Sequence, residues 1–168
     1  NKVMGELLSR IKAVMPLCIT SLSGGAKDNA IPRSCQVTAV MLGMHPEQIN
    51  DIAAQLQQEI RTQYDEPDAV ISGDNVDALG GNALSVELTD KVISFLCSAP
   101  NGVQKMSADI EGLVQTSLNL GIATLSDDLK LTFSVRSSVN SEKVELLERL
   151  QKLAEIHDAT YNQMGDYP

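Results

Sequence analysis

The segment LCITSLSGG, Leu17 to Gly25, recurs along the chain as LVQTSLNLG, Leu113 to Gly121. Leucine, threonine, serine, leucine and glycine occupy matching places in the two segments without a gap, at an offset of 96 residues. Two later segments also align, with HPEQI over NSEKV at an offset of 95 residues. Solenoid repeats have periods of roughly 20 to 50 residues, so this spacing instead predicts duplication of one small domain.

In the first half, the repeat segment is one strand in a short series of elements. Apolar residues at helical spacing predict a helix before Pro16. SCQVTAVML (34–42) predicts a second strand, and residues 44–63 predict a long helix with Pro46 in its first turn, where a missing N–H costs nothing. DAVIS (68–72) predicts a closing strand. The order of elements is therefore αββαβ.

The second half repeats this order. Thr89 is predicted to cap a helix, and Asn140 or Ser141 to cap a later and longer one. Besides the repeat segment, three stretches predict strands: NALSVEL (82–88), LKLTFSVRSS (129–138) and ATYNQM (159–164).

The complete repeating unit is βαββαβ, the order of the ferredoxin-like arrangement. The predicted fold class is α+β: duplicated ferredoxin-like units with an antiparallel sheet, helices on one face, and a first unit that lacks its leading strand. We expect a first half-domain over residues 1–73, a linker loop over 74–82, and a second half-domain over 83–168.

Composition argues against two classes of partner. The net charge of −9 and the presence of only 13 lysines and arginines disfavour binding to a phosphate backbone, and 3% aromatic residues disfavour base stacking. No apolar run reaches the roughly 18 to 20 residues of a membrane span. We therefore expect a soluble, cytoplasmic protein that binds neither nucleic acid nor membrane. Its three cysteines are predicted to be reduced core residues: Cys18, Cys35 and Cys97.

The chain carries no recognisable catalytic motif. It has two histidines, His45 and His157, and a hydrolytic zinc site needs three or four converging ligands. It also lacks a GxSxG elbow, a P-loop and a Cys-His signature. We expect no catalytic residue and no metal ligand in this chain. Because it opens in helical periodicity without Met and stops at GDYP, we expect it to be a piece of a larger protein.

Two residues are candidates for ligand binding. Asn29 lies in SGGAKDNAIPRS, a loop too elaborate for a plain hairpin, where an amide can either stabilise a turn or contact a ligand oxygen. Arg136 is predicted to lie on the polar face of a strand, where it can either be solvated or hold a carboxylate bidentately. Its counterpart in the first half is about Met41, so the two halves differ in chemistry here.

Four segments resemble the lid, or dimerisation, domain of aminoacyl-histidine dipeptidases, the Xaa-His dipeptidases of the carnosinase-like zinc peptidases. NAIP alone is shared by many lids of the wider family, whereas the PNGV and FSVRSS segments are more specific to this branch. The segments cover most of the chain: SGGAKDNAIPR, PNGVQKMSADIEGLVQTSLNLG, FSVRSSVNSEK and GDYP.

The resemblance implies a cytosolic enzyme whose catalytic domain binds two zinc ions while the lid closes over a dipeptide. It implies that Asn29 and Arg136 bind substrate, with Arg136 holding the C-terminal carboxylate, and that the lid mediates a homodimer. The family's zinc ligands lie outside this chain, so the chain alone is expected to be inactive. Two alternatives stay open: a non-enzymatic ferredoxin-like module that binds a small regulatory ligand, and the lid of a related tripeptidase or deacylase.

Overall fold

The computed structural model describes residues 1–41, 43, 46–76 and 82–165. Over this range the chain forms an α+β fold with four helices and an antiparallel sheet of five strands, which confirms the predicted fold class. The elements are α1 (Lys2–Val14), β1 (Leu17–Gly24), β2 (Cys35–Met41), α2 (Pro46–Tyr64), α3 (Val86–Ser98), β3 (Gly102–Met106), β4 (Val114–Leu125), β5 (Leu129–Ser137) and α4 (Asn140–Ile156).

The long strand β4 joins the two halves of the sheet. Strand β5 pairs along one edge of β4, and β1 and β3 occupy successive parts of its other edge, so the order is β2-β1-β4-β3 with β5 beside β4. Strand β1 meets β4 through a short ladder in which Ser23 lies opposite Thr124. Each of the two strands contains a repeat segment, and the β4 residues of this ladder, Ala123 to Leu125, lie just after the second segment.

All four helices pack on one face of the sheet. Alternate residues of the central strands are buried on that face, among them Ile19 at 0% exposure and Leu120 at 1%. They join apolar residues of the helices in a core that spans both halves, including Leu56 and Leu96. Removing such side chains from water is worth about 25 cal/mol per Å² and is the main force holding the layers together. None of the helices in the described range covers the other face of the sheet.

The first and third helices join the halves on the helical side. Gly5 of α1 lies so close to α3 that an added Cβ would come within 2.6 Å of Leu96 Cβ. Lys2 Nζ donates to three carbonyls at the C-terminal end of α3, those of Leu96, Cys97 and Ala99, each at 2.7 Å. A cation here is favoured by the helix dipole and satisfies carbonyls that the helix leaves unpaired, although burial lowers the pKa of Lys2.

Two of the strands predicted from sequence are wrong. DAVIS (68–72) is not a strand, because the side chains of α2 bind its backbone in place of a neighbouring strand. Arg61 Nε donates to Ala69 O at 2.9 Å, and Gln57 Oε1 accepts from Ile71 N at 2.8 Å. ATYNQM (159–164) also forms no ladder; Ala159 N closes the end of α4 on Ala154 O at 2.8 Å, and Tyr161 packs against α4.

The predicted leading strand NALSVEL (82–88) is wrong as well, because α3 begins within it. Ser85 caps that helix by accepting from Leu88 N at 3.1 Å. Thr89, predicted as the cap, is instead fully buried, and its hydroxyl accepts from Ile19 N of β1 at 3.2 Å. Leu84 N donates to Ile19 O at 2.8 Å. The start of α3 thus satisfies the part of β1 that does not pair with β4.

Three smaller expectations are corrected. Neither Asn140 nor Ser141 caps α4, whose cap position is Val139 without a side-chain bond. The strand β3 was not predicted, since Gly102–Met106 is short and its side chains are mostly exposed. Of the three cysteines predicted in the core, Cys97 is exposed; Cys35 packs against the core, where burial raises the pKa of its thiol. The domain boundaries stay a prediction, and part of the linker, residues 77–81, lies outside the described range.

Glu142, in the first turn of α4, ties that helix to two strands. Its carboxylate accepts from Lys105 of β3, from Thr116 of β4 and, at 2.7 Å, from Gln115 Nε2. The Lys105 ammonium, followed by the Thr116 hydroxyl and the Gln115 amide, lowers the pKa of Glu142 from 4.5 to about 2. A carboxylate whose pKa is depressed by folding stabilises the fold above its unfolded pKa.

The Glu142 network predicts a specific acid sensitivity. Its stabilisation is complete above pH 4.5 and is lost as the pH falls towards 2. We therefore expect the urea midpoint of wild type to fall between pH 5 and pH 2.5 by more than that of Glu142→Gln. Glu148→Gln, which changes an exposed carboxylate on the same helix, is the matched control and should follow wild type. Identical pH curves for wild type and Glu142→Gln would contradict this assignment.

A candidate ligand-binding face on the open side of the sheet

The uncovered face of the sheet carries a row of polar side chains on β4 and β5. The register of this hairpin places Ser117 opposite Arg136 and Asn119 opposite Ser134. Residues two apart on one strand share a face and lie about 6.6 Å apart. Arg136 is therefore one cross-strand pair away from Asn119 on the same face.

Arg136 lies near the end of β5 and is exposed to solvent. Phe133 and Val135 of the same strand pack towards α4, so Arg136 lies on the opposite, polar face, as predicted from the sequence. Within the described part of the chain, its guanidinium forms no ion pair and no side-chain hydrogen bond. Among the described residues, none of its N–H donors has a side-chain acceptor, and their planar arrangement matches the two oxygens of a carboxylate.

The loop between β1 and β2 folds against the middle of β4. Gly25 opens it with a φ of +78°, and its N–H donates to Ser34 O at 3.3 Å across the base of the loop. The Asp28 backbone lies against Gly121, where an added Cβ would come within 2.2 Å of Asp28 O. Asn119 Nδ2 then donates to Ala30 O at 2.5 Å. The loop is thus attached to β4 on either side of Asn29.

Asn29 is exposed at this attached loop, and its side chain does not make the turn. The turn contact comes from Asp28, whose Oδ1 accepts from Asn29 N at 2.8 Å. Among the described residues, the Asn29 carboxamide has no hydrogen-bond partner, so it can both donate to and accept from a ligand. Asn119 binds Ala30, the residue after Asn29, and it lies one cross-strand pair away from Arg136. Asn29 and Arg136 therefore approach the same part of the open face.

His157 plays no part in this face. His157 ends α4, where its Nδ1 lies 2.8 Å from Leu153 O and its Nε2 lies 3.0 Å from Ser94 Oγ. Its ring also packs edge-on against Phe95, at a centroid distance of 5.2 Å. These contacts give His157 a structural role. His45 lies outside the described residues.

Over the described ranges, no group of three or more His, Cys, Asp or Glu side chains could hold a metal ion. The zinc ions that the resemblance implies do not fit any set of residues described here. The same ranges contain no helix whose length and apolarity would let it cross a bilayer.

Asn119 and Gly121 were not singled out in the sequence, although the repeat carried a signal for both. In the alignment of the two segments, Gly121 matches Gly25, and these two glycines meet: a Cβ on Gly25 would lie 1.8 Å from Gly121 O. Asn119 takes the place of Ser23, whose shorter side chain has no carboxamide. The sequence signal for Gly121 is its match to Gly25, and the signal for Asn119 is its difference from Ser23 in the aligned segments.

The chain is similar, over its whole length, to part of known dipeptidases. No protein-family model matches the chain. The cytosol non-specific dipeptidase of Escherichia coli (strain K12) is 26% identical over 171 aligned residues, which cover 100% of this chain and 35% of that protein. The crystal structure of aminoacylhistidine dipeptidase from Vibrio alginolyticus matches with a TM-score of 0.91 and 26% identity, again over 100% of this chain and 35% of the other. The chain is therefore homologous, over its whole length, to a segment of about one third of these dipeptidases.

Proposed function

We propose that this chain is the lid domain of a larger cytoplasmic dipeptidase that hydrolyses Xaa-His and other dipeptides. The observation that supports this most directly is the placement of Asn29 and Arg136 against one uncovered face, in a chain homologous to part of two dipeptidases. The chain spans 35% of the length of those relatives, so the activity belongs to the full-length protein that contains it.

In this proposal, the open face recognises one end of the substrate. Arg136 holds the C-terminal carboxylate of the dipeptide through two parallel N–H···O bonds, the strongest geometry for a guanidinium and a carboxylate. Asn29 contacts the peptide through its free carboxamide and orients it. Closing this face over the substrate excludes water and sets the geometry for attack on the peptide bond.

The proposal assigns bond cleavage to the rest of the full-length protein. No metal-binding group occurs in the described part of this chain, so any zinc ions would be held elsewhere in the protein and would supply the activated nucleophile. This chain by itself would bind no zinc and hydrolyse nothing.

A second copy of the protein is the other partner that we propose. Strands β2 and β5 each pair on one side only within the described range, so each leaves an edge of unpaired backbone groups. Such an edge readily pairs with another chain, and symmetric homodimers are the commonest assemblies.

The test compares the full-length protein with this chain on Xaa-His and other dipeptides, on tripeptides and on N-acyl amino acids. We expect dipeptide hydrolysis by the full-length protein, loss of activity on chelation, recovery with added zinc, and no activity from this chain. An inactive metal-loaded full-length protein would overturn the proposal and favour a module that binds a small regulatory ligand. Activity confined to tripeptides or N-acyl amino acids would favour a related peptidase or deacylase.

A further inference from the structure

We infer that Asn119 is a positioning residue that acts through the backbone of the β1–β2 loop on Asn29. The inference rests on the proposed function, since it concerns how Asn29 is presented to the substrate. Asn119 does not itself contact the reacting groups. Its role is to keep the exposed loop in one conformation against β4.

The loop has few other means of staying in place. Residues 26–31 are all exposed, so burial of apolar surface contributes little to their order. At its base, the loop is closed by the bond from Gly25 N to Ser34 O. Towards its tip, the loop accepts one side-chain hydrogen bond from the sheet among the described residues, which Asn119 Nδ2 donates to Ala30 O. Ordering a loop costs conformational entropy at every residue, so loss of this bond should increase the mobility of the loop.

The position of this bond makes it specific for Asn29. Ala30 directly follows Asn29, so holding the Ala30 carbonyl restricts the peptide plane next to it. On the other side, the Asp28 backbone rests on Gly121 and the Asp28 carboxylate accepts from Asn29 N. A substrate-positioning group displaced by about 1 Å can cost a hundredfold in rate, so small changes in this loop should be measurable.

The duplication explains why this role falls on the second half of the chain. The counterpart of Asn119 in the first half is Ser23, which lies opposite Thr124 within the β1–β4 ladder. Asn119 on β4 binds the long β1–β2 loop, whereas the corresponding connection in the second half, between β4 and β5, is a short turn at residues 126–128. The serine-to-asparagine difference thus coincides with the difference in loop structure.

The first experiment measures hydrogen–deuterium exchange of residues 26–31 in the full-length protein. Asn119→Ala removes the side-chain donor, and Asn119→Asp keeps its shape while replacing the donor with a carboxylate that cannot donate. We expect exchange in the loop to be at least threefold faster in both variants. Asn50→Ala is the matched control, because Asn50 makes the same kind of bond to Gly73 O, at 3.0 Å, on the helical side. That variant should leave exchange in the β1–β2 loop unchanged.

The second experiment is a double-mutant cycle on dipeptide kcat/KM. We expect Asn119→Ala to lower kcat/KM about tenfold, with the loss divided between KM and kcat as it is in Asn29→Ala. In the Asn29→Ala background, Asn119→Ala should have less than a twofold further effect, because the residue it positions is gone. Asn50→Ala should stay within twofold of wild type.

The outcomes separate this inference from the proposed function. If Asn29→Ala lowers activity while Asn119→Ala leaves both loop exchange and activity at the wild-type level, the inference is wrong and the proposed function stands. If Asn119→Ala and Asn29→Ala have independent, multiplicative effects, Asn119 does not act through Asn29. If Asn29→Ala itself has no effect, the role of Asn29 in the proposed function is wrong, and the exchange result alone then decides whether Asn119 holds the loop.

Discussion

Arg136→Ala in the full-length protein is expected to lower kcat/KM for dipeptides about a hundredfold, which corresponds to about 2.7 kcal/mol of lost transition-state stabilisation. The reason is the exposed guanidinium on the open face, which the strand register places opposite Ser117 and near the loop that carries Asn29. Loss of a bidentate, charge-assisted contact is worth more than loss of a neutral hydrogen bond. Arg136→Lys keeps the positive charge but cannot form two parallel N–H···O bonds, so its activity should lie between that of Arg136→Ala and that of wild type.

A change in the substrate isolates the carboxylate contact. A dipeptide whose C-terminal carboxylate is replaced by an amide should be a poor substrate for wild type, and Arg136→Ala should lower its hydrolysis by less than twofold. Lys130→Ala provides the control on the protein side, because Lys130 is an exposed cation on the same strand but opposite Thr124, well away from Ser117. It should leave both substrates within twofold of wild type.

Two results would contradict the role given to Arg136. One is a loss of less than twofold in kcat/KM for the ordinary dipeptide. The other is an equal loss for the dipeptide and its amide, which would mean that Arg136 supports the fold or another part of the substrate. Urea denaturation of the variant separates these two explanations, since Arg136 is exposed and its replacement should barely change the free energy of unfolding.

Gly25→Ala is expected to have the largest effect on stability, about 3 kcal/mol or more. Two costs combine at this position. The φ of +78° is a left-handed conformation that costs an ordinary residue about 1 kcal/mol. The added Cβ would also lie 1.8 Å from Gly121 O, so the backbones of β1 and β4 must separate at the junction of the two halves.

Gly112→Ala is a closely matched control for this prediction. Its φ is +77°, and an added Cβ meets no atom within 4 Å, so it carries the conformational cost without the contact. We expect it to lose only about 1 kcal/mol. The free energies of unfolding of both variants follow from urea titrations by linear extrapolation. Equal losses in the two variants would show that close approach of the repeat glycines does not limit the fold.

Local pattern was sufficient to predict the elements that bury an apolar face. The repeat segments, the strands that follow them and the four helices alternate or recur at the spacing of their own secondary structure, because one side of each must leave water. The same reasoning placed Arg136 on the polar side of β5, since Phe133 and Val135 determine the other side. The duplication and the α+β class could therefore be predicted without a structure.

The remaining strands could not be predicted, because a strand also needs a free partner. DAVIS has the composition of a strand, yet Arg61 and Gln57 of α2 bind its backbone. From NALSVEL, Leu84 N donates to Ile19 O of β1, and the Thr89 hydroxyl accepts from Ile19 N, so no further strand forms here among the described residues. These outcomes depend on which donors and acceptors are left unpaired after the sheet has formed.

The sequence by itself thus determined the duplicated core, the helices and the facing of Arg136, because burial of apolar residues acts on short, periodic segments. The tertiary structure decided how the two halves meet and which groups surround the loop. Gly25 and Gly121 touch only because β1 pairs with β4, and Asn119 reaches Ala30 only because the loop folds back across that junction. Contacts between residues about 90 positions apart leave no periodic pattern in a sequence, so only the packed chain reveals them.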